Sequence, residues 1–247
     1  MSSNTNDLQE IYERIAYAES EVPDIEQAVS DYLNANTELR TRKGITGTVV
    51  SVRREKPLPI ALRSKIGIVI NEIRSSLDEL ACRLAVRNGK TMRDVHFPIS
   101  KDRAAYLKDA PRKIGKLSIA DQHALNGLGL NGEDRPFLFG MHDVDRVRKH
   151  QRSFVGQIAT AGLEMLGPGD FYGMSYVGPV AVDENWRPVI VAHFLNTVEI
   201  KVGLAATFAE PSQLEGINVT AGILRFASEA KDIVRLFDPQ PQPVSAG

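Results

Sequence analysis

The chain has 247 residues, 43% of them apolar, which is enough to bury a core without disulfides or structural metal. Thirty Lys and Arg against 31 Asp and Glu give a formal charge of −1, so no whole-chain field draws it to nucleic acid or anionic membrane; any such binding needs a local patch. The single cysteine, Cys82, excludes an intramolecular disulfide and argues against a cysteine-based zinc site.

The first residues, Met1 to Asp7, have neither the basic start nor the apolar run of a secretory signal. No stretch approaches the roughly 18 to 20 uninterrupted apolar residues of a membrane-spanning helix. Both points predict a cytoplasmic protein without membrane association. From Leu8 the apolar positions run Leu8, Ile11, Ile15, Ala18, Val22, Ile25, Val29 and Tyr32, the stripe of a long amphipathic helix. Pro23 either kinks this helix or opens a second one in its first turn, and the unbroken phase favours a kink. A stripe longer than one small core requires also suggests a homodimer through this helix.

Residues 38–54, with a turn signal at Lys43-Gly44, read as a hairpin whose Arg and Lys face water, closed by Lys-Pro-Leu-Pro ending at Pro59. Ile66, Val69, Ile73, Leu77, Leu80 and Leu84 then mark a strong helix ended by Asn88-Gly89. A short helix near Ala104 to Leu107 comes next, and another opens at Ser118 with Asp121 three residues on. Asp134 looks like an N-cap with Pro136 just inside, starting a helix to about Gln151. Beyond Ser153 alternation replaces helical spacing: Phe154–Ala159, Gly173–Val182, Arg187–Leu195 and Val198–Phe208 are predicted strands of an antiparallel meander. A last helix spans about Val219 to Phe237, before a Pro-Gln-Pro-Gln-Pro tail. The predicted fold is α+β: a long N-terminal helix and central helices packed with a C-terminal antiparallel sheet and a final helix. It is taken as one domain over 1–237, helical over about 5–152 and sheet-rich over about 153–237, with a disordered tail over 238–247.

Chemistry concentrates on two of these helices. After Pro136, His142, Asp145, Lys149 and His150 fall within about 140° of one another at 100° per residue, while Phe137, Val144 and Val147 point the other way. On the earlier helix Asn71, Arg74 and Asp78 share a flank. Two explanations stand: a solvated helix surface, or a polar pocket in which a buried Arg74 is paired with Asp78 or Asp145. No metal is expected, because His142 and Asp145 at i, i+3 lack the further ligands of a shell. No cofactor is expected either. The glycine-rich segment Gly167–Gly178 has neither the Gly-Lys-Ser/Thr ending of a phosphate loop nor a dinucleotide pattern. Ser175 has no nucleophile-elbow context and Cys82 no neighbouring His.

Three segments together resemble a bacterial family without an established activity: Asn71-Glu-Ile-Arg-Ser-Ser-Leu-Asp-Glu-Leu-Ala81, His96-Phe-Pro-Ile99 and His142-Asp-Val-Asp-Arg-Val-Arg-Lys-His150. The family's helices read roughly His-Asn-Leu-Arg-Ser-Ala-Leu-Asp-His-Leu-Ala and Leu-His-Glu-Leu-Asp-Asn-Ile-Asp-Lys-His-Arg, around a Phe-Pro-Ile segment. Matched positions are Arg74, Asp78, His142, Asp145, Lys149 and His150. The chain departs at Asn71 and Glu79, where the family has His, and at Arg146 and Arg148. The family's Arg-x-x-x-x-His spacing is in turn similar to the ribonuclease motif of HEPN-type helical domains, and here Glu79 stands in place of that His.

Residue pattern and resemblance together predict a binding or interaction protein whose pocket is built by Arg74, Asp78, His142, Asp145 and Lys149. Arg74 would orient a small anionic ligand or RNA, and Asp145 would fix a histidine tautomer. The alternative is a metal-independent ribonuclease of HEPN type, degenerate or intact, with His142 or His150 as its acid-base residue and Arg74, Lys149 and Arg146 on phosphate.

Overall fold

The computed structural model describes residues 7–44, 47–150, 156–166, 171–176, 180–194 and 199–238, with the backbone alone at 149–150, 162–166, 171–176, 192–194 and 199–200. Among these residues seven helices and seven strands form. In order they are α1 (Gln9–Ser20), α2 (Val22–Asn36), β1 (Thr37–Gly44), β2 (Gly47–Arg54), α3 (Ile60–Arg87), α4 (Arg103–Ile114), α5 (Ile119–Gly127) and α6 (Pro136–His150), then β3 (Gly156–Leu166), β4 (Phe171–Tyr176), β5 (Ala181–Val182), β6 (Arg187–Phe194), β7 (Glu199–Phe208) and α7 (Val219–Arg235). This is the α+β arrangement expected, with helical N-terminal and C-terminal segments around antiparallel sheets.

All eight positions of the N-terminal stripe are buried. The helical stretch is divided at Glu21, whose backbone stays right-handed helical (φ −80°, ψ −12°), and the ladder restarts at Val22. Pro23 sits in the first turn of α2, where a missing N–H interrupts nothing. Because the chain itself covers the stripe, no open apolar face is left there, and its length no longer argues for a homodimer.

α3 carries the strongest periodic signal and ends as expected. Gly89 takes a positive φ of 68°, with Gly89 N–H donating to Val86 O and Lys90 N–H to Ala85 O, the two bonds that close a helix over a left-handed residue. α4 runs further than the sequence suggested, through Pro111, because Tyr106, Ala110 and Ile114 continue one buried stripe. Ser118 caps α5, accepting from Asp121 N–H at 3.1 Å. The cap expected from Asp134 is replaced by a turn: Asn131 Oδ1 accepts from Glu133 and Asp134 N–H, and the Asp134 carboxylate takes Asn131 Nδ2–H.

The strands form two antiparallel sheets, of order β1-β2-β6-β4 and β5-β3-β7. A meander would pair successive strands; instead β3 pairs with β7 along ten residues, and the hairpin β1–β2 extends the first sheet through β6. The predicted tail beyond residue 238 lies outside the described residues.

The chain separates into two compact units. The first contains residues 1–22, 67–152 and 222–247, with Ile11, Ile15, Ile73, Leu77, Phe97, Met141 and Phe226 among its fully buried side chains. The second contains 23–66 and 153–221, with Val52, Ile158, Ile190 and Phe208 in its core. No helix among the described residues is long and apolar enough to cross a membrane.

Candidate functional site

Four of the six predicted site residues, Arg74, Asp78, His142 and Asp145, meet within the first unit. They line a cleft of about 270 Å³ together with His96, Phe97, Lys113 and Arg146. α3 supplies Arg74 and Asp78 one turn apart, α6 supplies His142 and Asp145, and the His96-Phe97 segment and α4 complete the wall. Lys149 and His150 belong to the last turn of α6, but their side chains lie outside the described residues.

A solvated helix surface does not describe these groups. Arg74 is 5% exposed and Asp145 4%. Burying two charges costs several kcal/mol each unless partners are supplied, and the partners are present (about 1.5–3 kcal/mol recovered per charged hydrogen bond). Arg74 Nε–H donates to His142 Nδ1 at 3.2 Å, and Nη2–H donates to the Phe97 carbonyl at 3.2 Å. Arg74 Nη1 stands 2.9 Å from Asp78 Oδ1 in an ion pair but makes no hydrogen bond. Asp78 Oδ1 accepts from Phe97 N–H at 2.8 Å, so the guanidinium and the carboxylate together grip both polar groups of one peptide residue. The Phe-Pro-Ile segment is held against α3 in this way.

Asp145 is occupied elsewhere. Its Oδ1 accepts from Asn71 Nδ2–H at 2.8 Å and lies 3.6 Å from Arg148 Nη2. For His142 the tautomer is fixed by Arg74 and not, as expected, by Asp145. A guanidinium can only donate, so His142 Nδ1 must be the unprotonated nitrogen and Nε2 carries the proton. Burial, reinforced by the Arg74 and Lys113 charges, pulls the His142 pKa down to about 4, against a weaker opposing pull from Asp78 and Asp145. At neutral pH it is an uncharged imidazole with a fixed tautomer.

Glu79, the departure from the histidine of the resembled motif, is not part of the cleft. Five residues from Arg74 is about 140° around the helix. There Glu79 pairs with Arg14 of α1 at 3.3 Å and with Arg83 at 2.9 Å. Arg146, expected on phosphate, instead holds Asp143 through Nε at 2.9 Å.

Two contributors escaped the sequence reasoning. Lys113 comes from the part of α4 beyond its predicted end; its Nζ donates to Ile99 O at 3.4 Å, and desolvation holds its pKa below that of an ordinary lysine. The peptide of Phe97 acts through its backbone, which no residue type announces. Asn71 was visible as a member of the α3 flank, though its bond to Asp145 was not. No group of three or more His, Cys, Asp or Glu that could hold a metal ion occurs among the described residues. In comparisons with known proteins, no family model, curated protein or solved structure matches the chain.

Proposed function

We propose that the chain is a binding protein for a small anionic ligand, a carboxylate or phosphate group, held in the cleft between α3 and α6. One observation carries this reading: the lining holds three cations, Arg74, Lys113 and Arg146, against two carboxylates that are each already held by a donor, while donors remain. Asp78 is taken by Phe97 N–H and Arg74, and Asp145 by Asn71 and Arg148. His142 Nε2–H has no partner among the described residues, and Lys113 keeps two protons beyond its bond to Ile99. A site with spare donors and surplus positive charge selects an acceptor-rich anion.

The ribonuclease alternative needs a histidine that gains and loses a proton near neutral pH. With Nδ1 taken by a guanidinium and a pKa of about 4, His142 is better suited to donate a fixed hydrogen bond. Thermal unfolding of the purified protein with inorganic phosphate, phosphate monoesters and small carboxylates tests the binding reading. A saturable rise in melting temperature is expected for at least one of them, lost in Lys113→Met and reduced in His142→Phe. If no anion raises it at millimolar concentration, or if the rise persists in both variants, the reading fails.

A further inference from the structure

The second unit holds a charge concentration that the cleft does not use. Between Thr37 and Lys56 there are six Lys and Arg against two Glu, in a chain whose formal charge is −1. Strand alternation puts Glu38, Arg40 and Arg42 on one face of β1, and the register sets Arg53, Ser51 and Val49 of β2 directly beside them. The opposite face carries Val50 and Val52, both buried, but along β1 both faces meet solvent, Arg42 on the arginine face and Leu39 and Lys43 on the other.

Trp186, one residue before β6, lies on this face beneath two guanidinium groups. The Arg40 group is 4.1 Å and the Arg53 group 4.9 Å from the ring centre. Arg53 is neutralised by Glu38 at 2.8 Å. Arg40 Nε has no hydrogen-bond partner, and no ion pair among the described residues reaches Arg40 or Arg42. Desolvation, then the neighbouring Arg42 and Arg53 charges, hold the Arg40 pKa below its ordinary value, the mark of cations crowded without a counterion.

Charge on an edge strand does discourage edge-to-edge pairing, but that does not call for two guanidinium groups placed over an indole. We propose that this face binds single-stranded nucleic acid, with phosphates on Arg40 and Arg42 and a base stacked on the Trp186–arginine layer. Arg40 and Arg42, two residues apart on a strand, are separated by about 6.8 Å, close to the spacing of consecutive phosphates in an extended strand. Aromatic and guanidinium planes beside a line of cations are how unpaired bases are held without reading sequence. A duplex would need an element shaped to a groove, and a lipid surface would favour exposed apolar side chains on the same face as the cations, whereas the exposed Leu39 lies on the other face of β1.

Trp186 is the only tryptophan in the chain, so its emission reports on this face alone. The test titrates the full chain with RNA and DNA oligonucleotides of about 12 nucleotides and, in parallel, with phosphatidylserine vesicles. Saturable quenching by RNA, DNA or both is expected, the better of the two identifying the sugar preferred. The binding constant should fall with salt with a log–log slope of about −1.4, as for two phosphates on a single strand. Arg42→Gln, at an exposed position away from the indole, should bind several-fold more weakly and cut that slope to about −0.7. Absence of quenching, an unchanged affinity in Arg42→Gln, or vesicles binding as tightly as oligonucleotides would overturn the proposal.

Discussion

His142 shows how much of a residue's chemistry is set by its neighbours. Its imidazole would titrate near pH 6.5 in the unfolded chain, but burial and the Arg74 and Lys113 charges keep it neutral down to about pH 4 in the fold. The unfolded state therefore binds more protons between those values, and linkage requires stability to fall as pH drops from about 6.5 toward 4. The loss is at most about 3 kcal/mol. Urea unfolding of the wild type and of His142→Gln at pH 7 and pH 4.5 should show a smaller pH-dependent loss in the variant; an NMR titration placing His142 near 6.5 would remove the premise. Arg74 is the companion case. Lysine keeps the charge but cannot reach His142, Phe97 and Asp78 together, so Arg74→Lys should destabilise nearly as much as Arg74→Met, by about 2–3 kcal/mol. In Arg74→Met the histidine also loses a neighbouring cation, and its pKa should rise toward the ordinary value.

At the scale of elements, the helices were legible wherever a buried stripe and a terminator coincide. α3 and α7 have both: Gly89 closes the first, and Asn218 Oδ1 caps the second by accepting from Thr220 and Ala221 N–H at 3.0 and 3.1 Å. Gly89→Ala forces a left-handed backbone on a side chain that disfavours it, and Asn218→Ala removes the cap. Each should cost about 1 kcal/mol in denaturant unfolding. Equal stability of Gly89→Ala and wild type would mean that the terminator does not hold the end of α3. The candidate site was half legible for the same reason. Helical spacing puts Arg74 beside Asp78 and His142 beside Asp145, but which partner each one takes depends on how α3, α6 and the Phe97 segment approach. That is why Arg74, not Asp145, holds the histidine, and why Lys113 was missed along with the second half of α4. The predicted strand Gly173–Val182 ran β4 and the two-residue β5 together, because β5 is too short to carry a periodicity of its own.

For the whole molecule, the shift from helical to alternating pattern near residue 153 gave the fold class but not the connectivity. Alternation says that a segment is a strand, not which strand it pairs with, so the long β3–β7 pairing and the hairpin joining β6 were not predictable. The same holds for the compact units, each gathered from segments far apart in the sequence. The first depends on its C-terminal segment. Ile223, Phe226, Ile233 and Val234 of α7 are fully or almost fully buried, Phe226 lies 4.6 Å from Phe137 of α6, and Lys231 pairs with Glu19 of α1. Burying those four side chains contributes about 6–12 kcal/mol at 1.5–3 kcal/mol apiece, which is comparable with the entire stability of an ordinary domain. A chain ending at Asn218 should therefore leave α1 and α6 with an exposed apolar face, bind a hydrophobic dye and lose the cooperative thermal transition of the first unit. A truncated protein that still melted with the wild-type amplitude in far-UV circular dichroism, scaled for the missing helix, would show that residues 1–22 and 67–152 suffice for that core.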